Sequence, residues 1–216
     1  NGTTTRMWLN GVSVGTSTSS VGAVTGAAVW IGTYNAGAAS YYYNGYLSNV
    51  RFVQNTAVYD PNSSTITVPT APLTAITNTS YLLNCTNGGI VDATAKNDLE
   101  TVGNAQISTS VVKYGTGSMS FNGSGDTLNT PTTNPVHALG SGNFTIEGWF
   151  YPTLPPSSYT CRVFTFYQPG TAGVYPMFYF DSGNKVEWGY NGTTLLTCSG
   201  TIPTNSWFHL AIVRSS

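Results

Sequence analysis

Eight carboxylates are spread through 216 residues, and their spacing decides what chemistry they can do. Retaining glycoside hydrolysis needs two carboxyl groups about 5 Å apart, one acting as acid and the other as nucleophile. Only Asp98 and Glu100 stand two residues apart, in Lys96-Asn97-Asp98-Leu99-Glu100, which reads as a polar loop entering an edge strand. Glu147 sits in the middle of the alternating run Phe144-Thr145-Ile146-Glu147-Gly148-Trp149-Phe150. A mid-strand carboxylate must be paired or face water, and Arg51 or Arg214 is its natural partner. No Ser-His-Asp set is visible either. The expectation is a protein without hydrolase activity.

Cys85, Cys161 and Cys198 lack the close spacing of a metal site, and the two histidines, His137 and His209, are far apart. Cys161 and Cys198 each lie in a short strand-like run. Two readings stand open: three buried thiols acting as small hydrophobes, or a Cys161–Cys198 bridge across a sheet with Cys85 left over. Trp30, Tyr34, Tyr41, Tyr42, Tyr43 and Trp188 are the rings placed to stack on a sugar, with Asn and Thr neighbours for its hydroxyls. In a β-sandwich such rings also turn into the core or cover an interface.

The elements that must position these residues are strands. Only 7% of the chain is charged, while 40% is hydrophobic and 13% aromatic. Disordered chains are poor in aromatics, so a packed core is within reach. β-branched and aromatic runs cut by Gly, Asn, Ser and Pro indicate an all-β protein. The net charge of -1 supplies no basic face for nucleic acid and no polybasic membrane anchor. No run of 18 apolar residues is available for membrane insertion, and no signal peptide is seen.

Alternation puts Phe144, Ile146 and Phe150 on one face, and Phe208, Leu210 and Ile212 on another such face. Further strands are predicted at Val29–Ile31, Gly45–Val53, Tyr81–Cys85, Ser118–Asn122, Arg162–Tyr167, Tyr175–Phe180, Lys185–Tyr190 and Thr193–Cys198. Phe164 and Phe178 join the expected core. Turns are predicted at Asn10-Gly11, Asn44-Gly45, Asp181-Ser182-Gly183 and Asn191-Gly192, and a short helical turn near Val136–Leu139. Many short antiparallel strands predict a two-sheet sandwich or jelly roll.

Residues 61–79 are rich in Thr and Pro and uncharged, the composition of a stiff extended connector between 1–60 and 80–216. The final strand, Trp207 to Arg214, and the first, Thr5 to Val12, read as two halves of one hairpin. Leu210–Arg214 is expected to pair antiparallel with Arg6–Leu9, inside one chain or between successive copies of it.

The order Gly142-Asn143-Phe144-Thr145-Ile146-Glu147-Gly148-Trp149-Phe150, then Trp207-Phe208-His209-Leu210-Ala211-Ile212-Val213-Arg214, resembles the laminin G-like branch of the concanavalin A-like lectin/glucanase superfamily. Arg6-Met7-Trp8-Leu9-Asn10-Gly11-Val12 and Tyr43-Asn44-Gly45-Tyr46-Leu47-Ser48-Asn49-Val50-Arg51-Phe52 are similar to its later segments. Val91-Asp92-Ala93-Thr94 and Tyr114–Gly123 are similar to its opening ones. The resemblance implies a two-sheet antiparallel jelly roll in circularly permuted order, 80–216 then 1–60. Thr56-Ala57-Val58-Tyr59 with Thr70-Ala71-Pro72-Leu73-Thr74-Ala75 is similar to repeats of large phage tail-fibre proteins. This implies a non-enzymatic structural repeat of an extracellular or virion fibre, joined to copies of itself. A lectin-like module binding a cell-surface glycan is the alternative. The family often holds calcium at a rim Asp, which implies Asp92 or Asp181, with Asp126 a third choice. Such Asp residues also cap turns. His209 and Arg214 stand where the family commonly has His and Arg; against a ligand or acid/base role, a structural His209 packed beside Trp207 is the expected reading.

Overall fold

A computed structural model of the chain describes residues 3–19, 27–33, 41–130, 134–153, 161–167, 176–190 and 192–216. Tyr34, Tyr175 and Asn191 lie outside them. Fifteen strands are found among these residues. They are β1 (Thr4–Leu9), β2 (Val12–Ser17), β3 (Ala28–Ile31), β4 (Asn44–Gln54), β5 (Thr79–Leu83), β6 (Glu100–Val102), β7 (Gln106–Ser108) and β8 (Ser118–Asn122). Then follow β9 (Thr127–Asn129), β10 (Phe144–Pro152), β11 (Cys161–Tyr167), β12 (Met177–Phe180), β13 (Val186–Tyr190), β14 (Thr193–Thr197) and β15 (Phe208–Ser215). The single helical element described is one 3-10 turn, Pro135–His137.

Two antiparallel sheets result. The first runs β2-β1-β15-β10-β4-β8-β7, with β5 also paired to β4; the second runs β14-β13-β12-β11-β3-β9-β6. β1 pairs with β15 in the register Thr4↔Ser215 to Leu9↔Leu210, so the expected hairpin partners meet inside this chain. Strands from residues 4–54 enter both sheets, with β4 in the middle of the first and β3 in the middle of the second.

Period-2 alternation decides which side chains fill the space between the sheets. Phe144, Ile146 and Phe150 of β10 stand beside Arg214, Ile212 and Phe208 of β15 in register. Across the gap Phe150 meets Phe178 edge-on at 5.4 Å, and within the second sheet Phe164 stacks on Phe178 at 5.9 Å. All eight residues expected in the core are buried there. Arg214 shares the inward face at its end, where the Leu139, Gly140 and Gly142 carbonyls accept its N–H groups at 2.7–2.8 Å. Burial lowers its pKa to about 10, so it is still a cation at neutral pH.

Two expectations need correction. Asn44-Gly45 is not a turn but the start of β4. Gly45 is required there because a Cβ would lie 2.2 Å from the Tyr151 carbonyl oxygen. Residues 61–79 are extended but not a free spacer. Ser13 N–H donates to the Ser64 carbonyl, Ile66 N–H to Gly11, and Leu73 N–H to the Asn49 side chain, which straps the segment along the first sheet. Asn10-Gly11 does form the predicted hairpin turn, with φ of 48° and 83°.

Phe164→Ala should destabilise the fold by about 3–5 kcal/mol in denaturant unfolding, because rigid neighbours leave a cavity. Gly45→Ala should be comparably damaging, since its clash is with backbone.

Candidate functional site

Strand alternation gives each sheet an inner and an outer face, and the two outer faces differ in kind. On the first sheet the outward residues of β10 are Thr145, Glu147 and Trp149, and those of β15 are His209, Ala211 and Val213. All of these are buried. Register sets Glu147 directly opposite Arg51 of β4. Arg51 Nη2 and Nε donate to Glu147 Oε1 at 2.5 and 3.1 Å, and Tyr59 Oη donates to Oε2 at 2.8 Å. His209 Nε2 lies 3.3 Å from Oε2, an ion-pair separation without hydrogen-bond alignment. Burial pushes the Glu147 carboxyl up, but His209 and Arg51 outweigh it and leave the group below its ordinary value. Arg51 is therefore the partner, while Arg214 points the other way.

A roof closes this face. Ala57, Tyr59 and Ile66 pack on Trp8, Ala211 and Val213. The Lys113 ammonium sits 3.8 Å from the Trp149 ring, and Tyr114 donates to the Pro69 carbonyl at 2.9 Å. His209 packs at 5.4 Å from Trp149.

The second sheet turns Trp30, Tyr167 and Tyr179 outward, the first two half-buried and the third buried. Trp30 of β3 stacks on Tyr167 of β11 with centroids 4.2 Å apart and planes at 15°. Arg162 of β11 lies opposite Tyr179 of β12, and its guanidinium is 4.4 Å from that ring and 5.0 Å from Tyr41. Tyr179 continues to Glu187 of β13 and on to Thr197 of β14 in register. Thr194 links the row, its hydroxyl 2.7 Å from Tyr179 Oη and 3.0 Å from Glu187 Oε2. Burial first, then the Glu187 contact, raises the Tyr179 phenol, so it stays protonated. At Gly189 the missing side chain leaves an open pocket of about 60 Å³, bounded by Arg162, Met177, Tyr179 and Thr193.

The expected sugar-stacking rings separate accordingly. Trp30 and Tyr41 belong to this face, and both are half-buried. Tyr42 is half-buried too, beside them in the chain. Tyr43 is corrected to the core: it is fully buried between Phe121 and Phe180, and its hydroxyl donates to the Tyr46 carbonyl. Trp188 is likewise a core residue, packed on Phe144. Sequence reasoning missed Arg162, Tyr167 and Tyr179. The signal was present, since positions 165, 167, 177 and 179 alternate with the core phenylalanines 164, 166, 178 and 180.

The acidic residues proposed for calcium are occupied by protein donors. Asp92 accepts from Leu82 N, Thr94 N, Thr94 Oγ1 and Asn97 Nδ2 at 2.6–3.0 Å. Asp181 accepts from Gly183 N and Lys185 N, and Asp126 from Asn104 N and Asn122 N. Each fastens a turn. Three or more His, Cys, Asp or Glu do not gather anywhere among the described residues. The Cys161–Cys198 bridge is also corrected, since both are free thiols. Cys161 is opposite Phe180, Phe180 is opposite Val186, and Cys198 bonds to Val186. Three interstrand steps put the two about 14 Å apart, well beyond disulfide reach.

A two-layer, all-antiparallel sandwich of this kind is consistent with the concanavalin A-like fold. Residues 122–216 match a laminin G family model described as the concanavalin A-like lectin/glucanases superfamily. The strands before residue 122 complete the same two sheets. No curated protein and no solved structure matches the chain. Laminin G-like domains are lectin-like or adhesive modules, generally non-catalytic and typically extracellular. No described helix is long and apolar enough to cross a membrane.

With three free thiols, a reductant should leave the melting temperature unchanged. His137 sets a pH effect: its Nδ1–H donates to the Ala27 carbonyl, and burial lowers its pKa against that bond and Asp92. The unfolded chain takes a proton near pH 6.5 that the folded chain refuses, so stability falls as pH drops below that value. His137→Gln should flatten stability against pH in this window, measured by urea midpoints.

Proposed function

We propose that the chain is a non-catalytic, lectin-like binding module whose ligand lies on the outer face of the second sheet. The observation that carries this reading is the contrast between the two outer faces. One is roofed and holds its carboxylate inside an ion pair. The other presents Trp30, Tyr41, Tyr167 and Tyr179 with Arg162, Glu187 and Thr194 between them. Ring faces suit the apolar C–H surface of a saccharide, and paired charged and hydroxyl groups suit its hydroxyls. Glu187 stands without a second carboxylate on β11, β12 or β14, so the acid–nucleophile pair of a retaining glycosidase is not assembled on these strands.

Binding to immobilised glycans tests this. Trp30→Ala and Tyr167→Ala should each weaken binding about fivefold to tenfold, the worth of about 1 kcal/mol of aromatic contact. Tyr42→Ala should have a smaller effect. Tyr43→Ala should act through stability alone. Undiminished binding by a Trp30→Ala, Tyr167→Ala double variant would move the site elsewhere.

A second reading, a bead in an extracellular or virion fibre with circularly permuted segment order, draws support from one observation. Thr4 and Ser215 are paired neighbours, so β1 from an adjoining copy would fit the same register beside β15. In that arrangement the isolated chain forms head-to-tail oligomers on sedimentation. A monodisperse monomer would sink the pairing between copies and leave the permuted single-chain form.

A further inference from the structure

The first sheet is not covered to its far end. Glu147, Trp149 and His209 are buried, but two residues further along, Tyr151 of β10 and Trp207 at the entry to β15 are only half-buried. Tyr151 is opposite Tyr46 of β4, Tyr46 is opposite Ser120 of β8, and Ser120 is opposite Gln106 of β7. Directly paired residues of an antiparallel sheet share a face, so Trp207, Tyr151, Tyr46, Ser120 and Gln106 form one outward row from β15 to β7. Ring centroids are 5.5 Å apart for Trp207 and Tyr151 and 5.7 Å for Tyr151 and Tyr46. Tyr46 and Ser120 are half-buried and Gln106 is exposed.

A polar row runs beside the aromatic one. At the next outward positions the Thr153 hydroxyl donates to Asn44 Oδ1, and Asn44 Nδ2 donates to the Asn122 carbonyl at 3.0 Å. Asn44 and Asn122 are again directly paired. Neither row contains a charged residue.

We propose that this end of the first sheet is a second ligand site, on the opposite side of the sandwich from the one argued above, and that it takes a neutral, linear polysaccharide lying across the strands. The rings meet the C–H faces of successive sugars, and the amides and hydroxyls of Gln106, Ser120 and Asn122 have donors and acceptors for their hydroxyls. The nearby cation, Lys113, is held on the buried Trp149 ring, which leaves the strip without a counter-charge for a polyanion. From β15 to β7 the row crosses four interstrand steps, about 19 Å, and one step is close to the length of one pyranose in an extended chain. Two rows about 7 Å apart make a strip far smaller than the roughly 800 Å² that a stable protein partner covers, yet wide enough for a single sugar chain. The ring planes are inclined by 78° and 61°. Such rings follow a twisted chain in solution and do not make the flat platform that a crystalline polymer needs.

Affinity electrophoresis of the full chain in native gels containing mixed-linkage β-glucan, xylan or galactomannan tests this, with alginate as the polyanionic control. A Trp30→Ala, Tyr167→Ala background removes the second-sheet rings, so the retardation left reports the first sheet. In that background at least one neutral polymer should retard the chain. Adding Trp207→Ala should then weaken the interaction about fivefold or more, and Gln106→Ala should weaken it less. Tyr151→Phe should keep binding that Tyr151→Ala loses. Oligosaccharides of the retarding polymer should bind more tightly as they lengthen to about four sugars and level off beyond, matching the four interstrand steps. Retardation unchanged by Trp207→Ala and Tyr151→Ala, affinity that ignores chain length, or retardation by alginate alone overturns the proposal. So does a failure of all three neutral polymers in the Trp30→Ala, Tyr167→Ala background; retardation of the unsubstituted chain would then leave the second-sheet site standing. If Tyr151→Ala fails to fold, Trp207→Ala, which lies outside the paired strands, and the length profile decide.

Discussion

Strand β4 is the constraint on which the first sheet depends. Its eleven residues pair with β10 along one edge, and with β8 and then β5 along the other. Such a strand must change alignment midway, and it does so at Asn49, which takes a left-handed φ of 52°. Asn tolerates that conformation better than most residues. The opposite strand makes room with Gly148, where a Cβ would already lie 3.0 Å from Val50. The same irregularity turns the Asn49 amide outward to hold Leu73, and it leaves Arg51 in register with Glu147. Core, roof and ion pair all follow from one strand placed between segments that lie far apart in sequence.

From that placement comes the difference between the two faces. A sheet that is roofed cannot leave a carboxylate unpaired, so scarce charges are spent in the interior: Arg51 with Glu147, and Arg214 on three carbonyls. On the second sheet the Arg162–Tyr179–Glu187 row lies on the outer face, with Arg162 and Glu187 only partly buried. The division of labour between the sheets is thus electrostatic as much as geometric.

Much of the fold was legible because alternation is a local signal. Phe144, Ile146 and Phe150, and the partners Phe208, Leu210 and Ile212, announce their inward face without any long-range knowledge. β2, β6, β7 and β9 were not legible, since Val12–Ser17 is polar and the other three span three residues each. Composition misled at 61–79: Thr and Pro describe an extended backbone, but not whether its amides find a sheet to bond. Tyr43 and Trp188 looked like ligand contacts because a ring's type does not reveal its side of the sheet. Trp30 and Tyr41 carried the same ambiguity and fell the other way. Cys161 and Cys198 show a further limit, as strand order, which separates them by two intervening strands, is a property of the assembled sheet alone.

The antiparallel register of β1 and β15 also fixes how the domain would carry load. Thr4 and Ser215 are partners at the same end of the pair. A pull applied through these two positions acts across the strands and opens them one rung at a time, like a zip. It does not shear all six rungs together, as a pull on opposite ends would. The first rungs to part lie near Arg6 and Val213, before Trp8 and its cover of Tyr59 and Ile66 are reached. Under tension the pair would therefore part in small steps from that end, until the Met7 and Ile212 rung draws on the core itself.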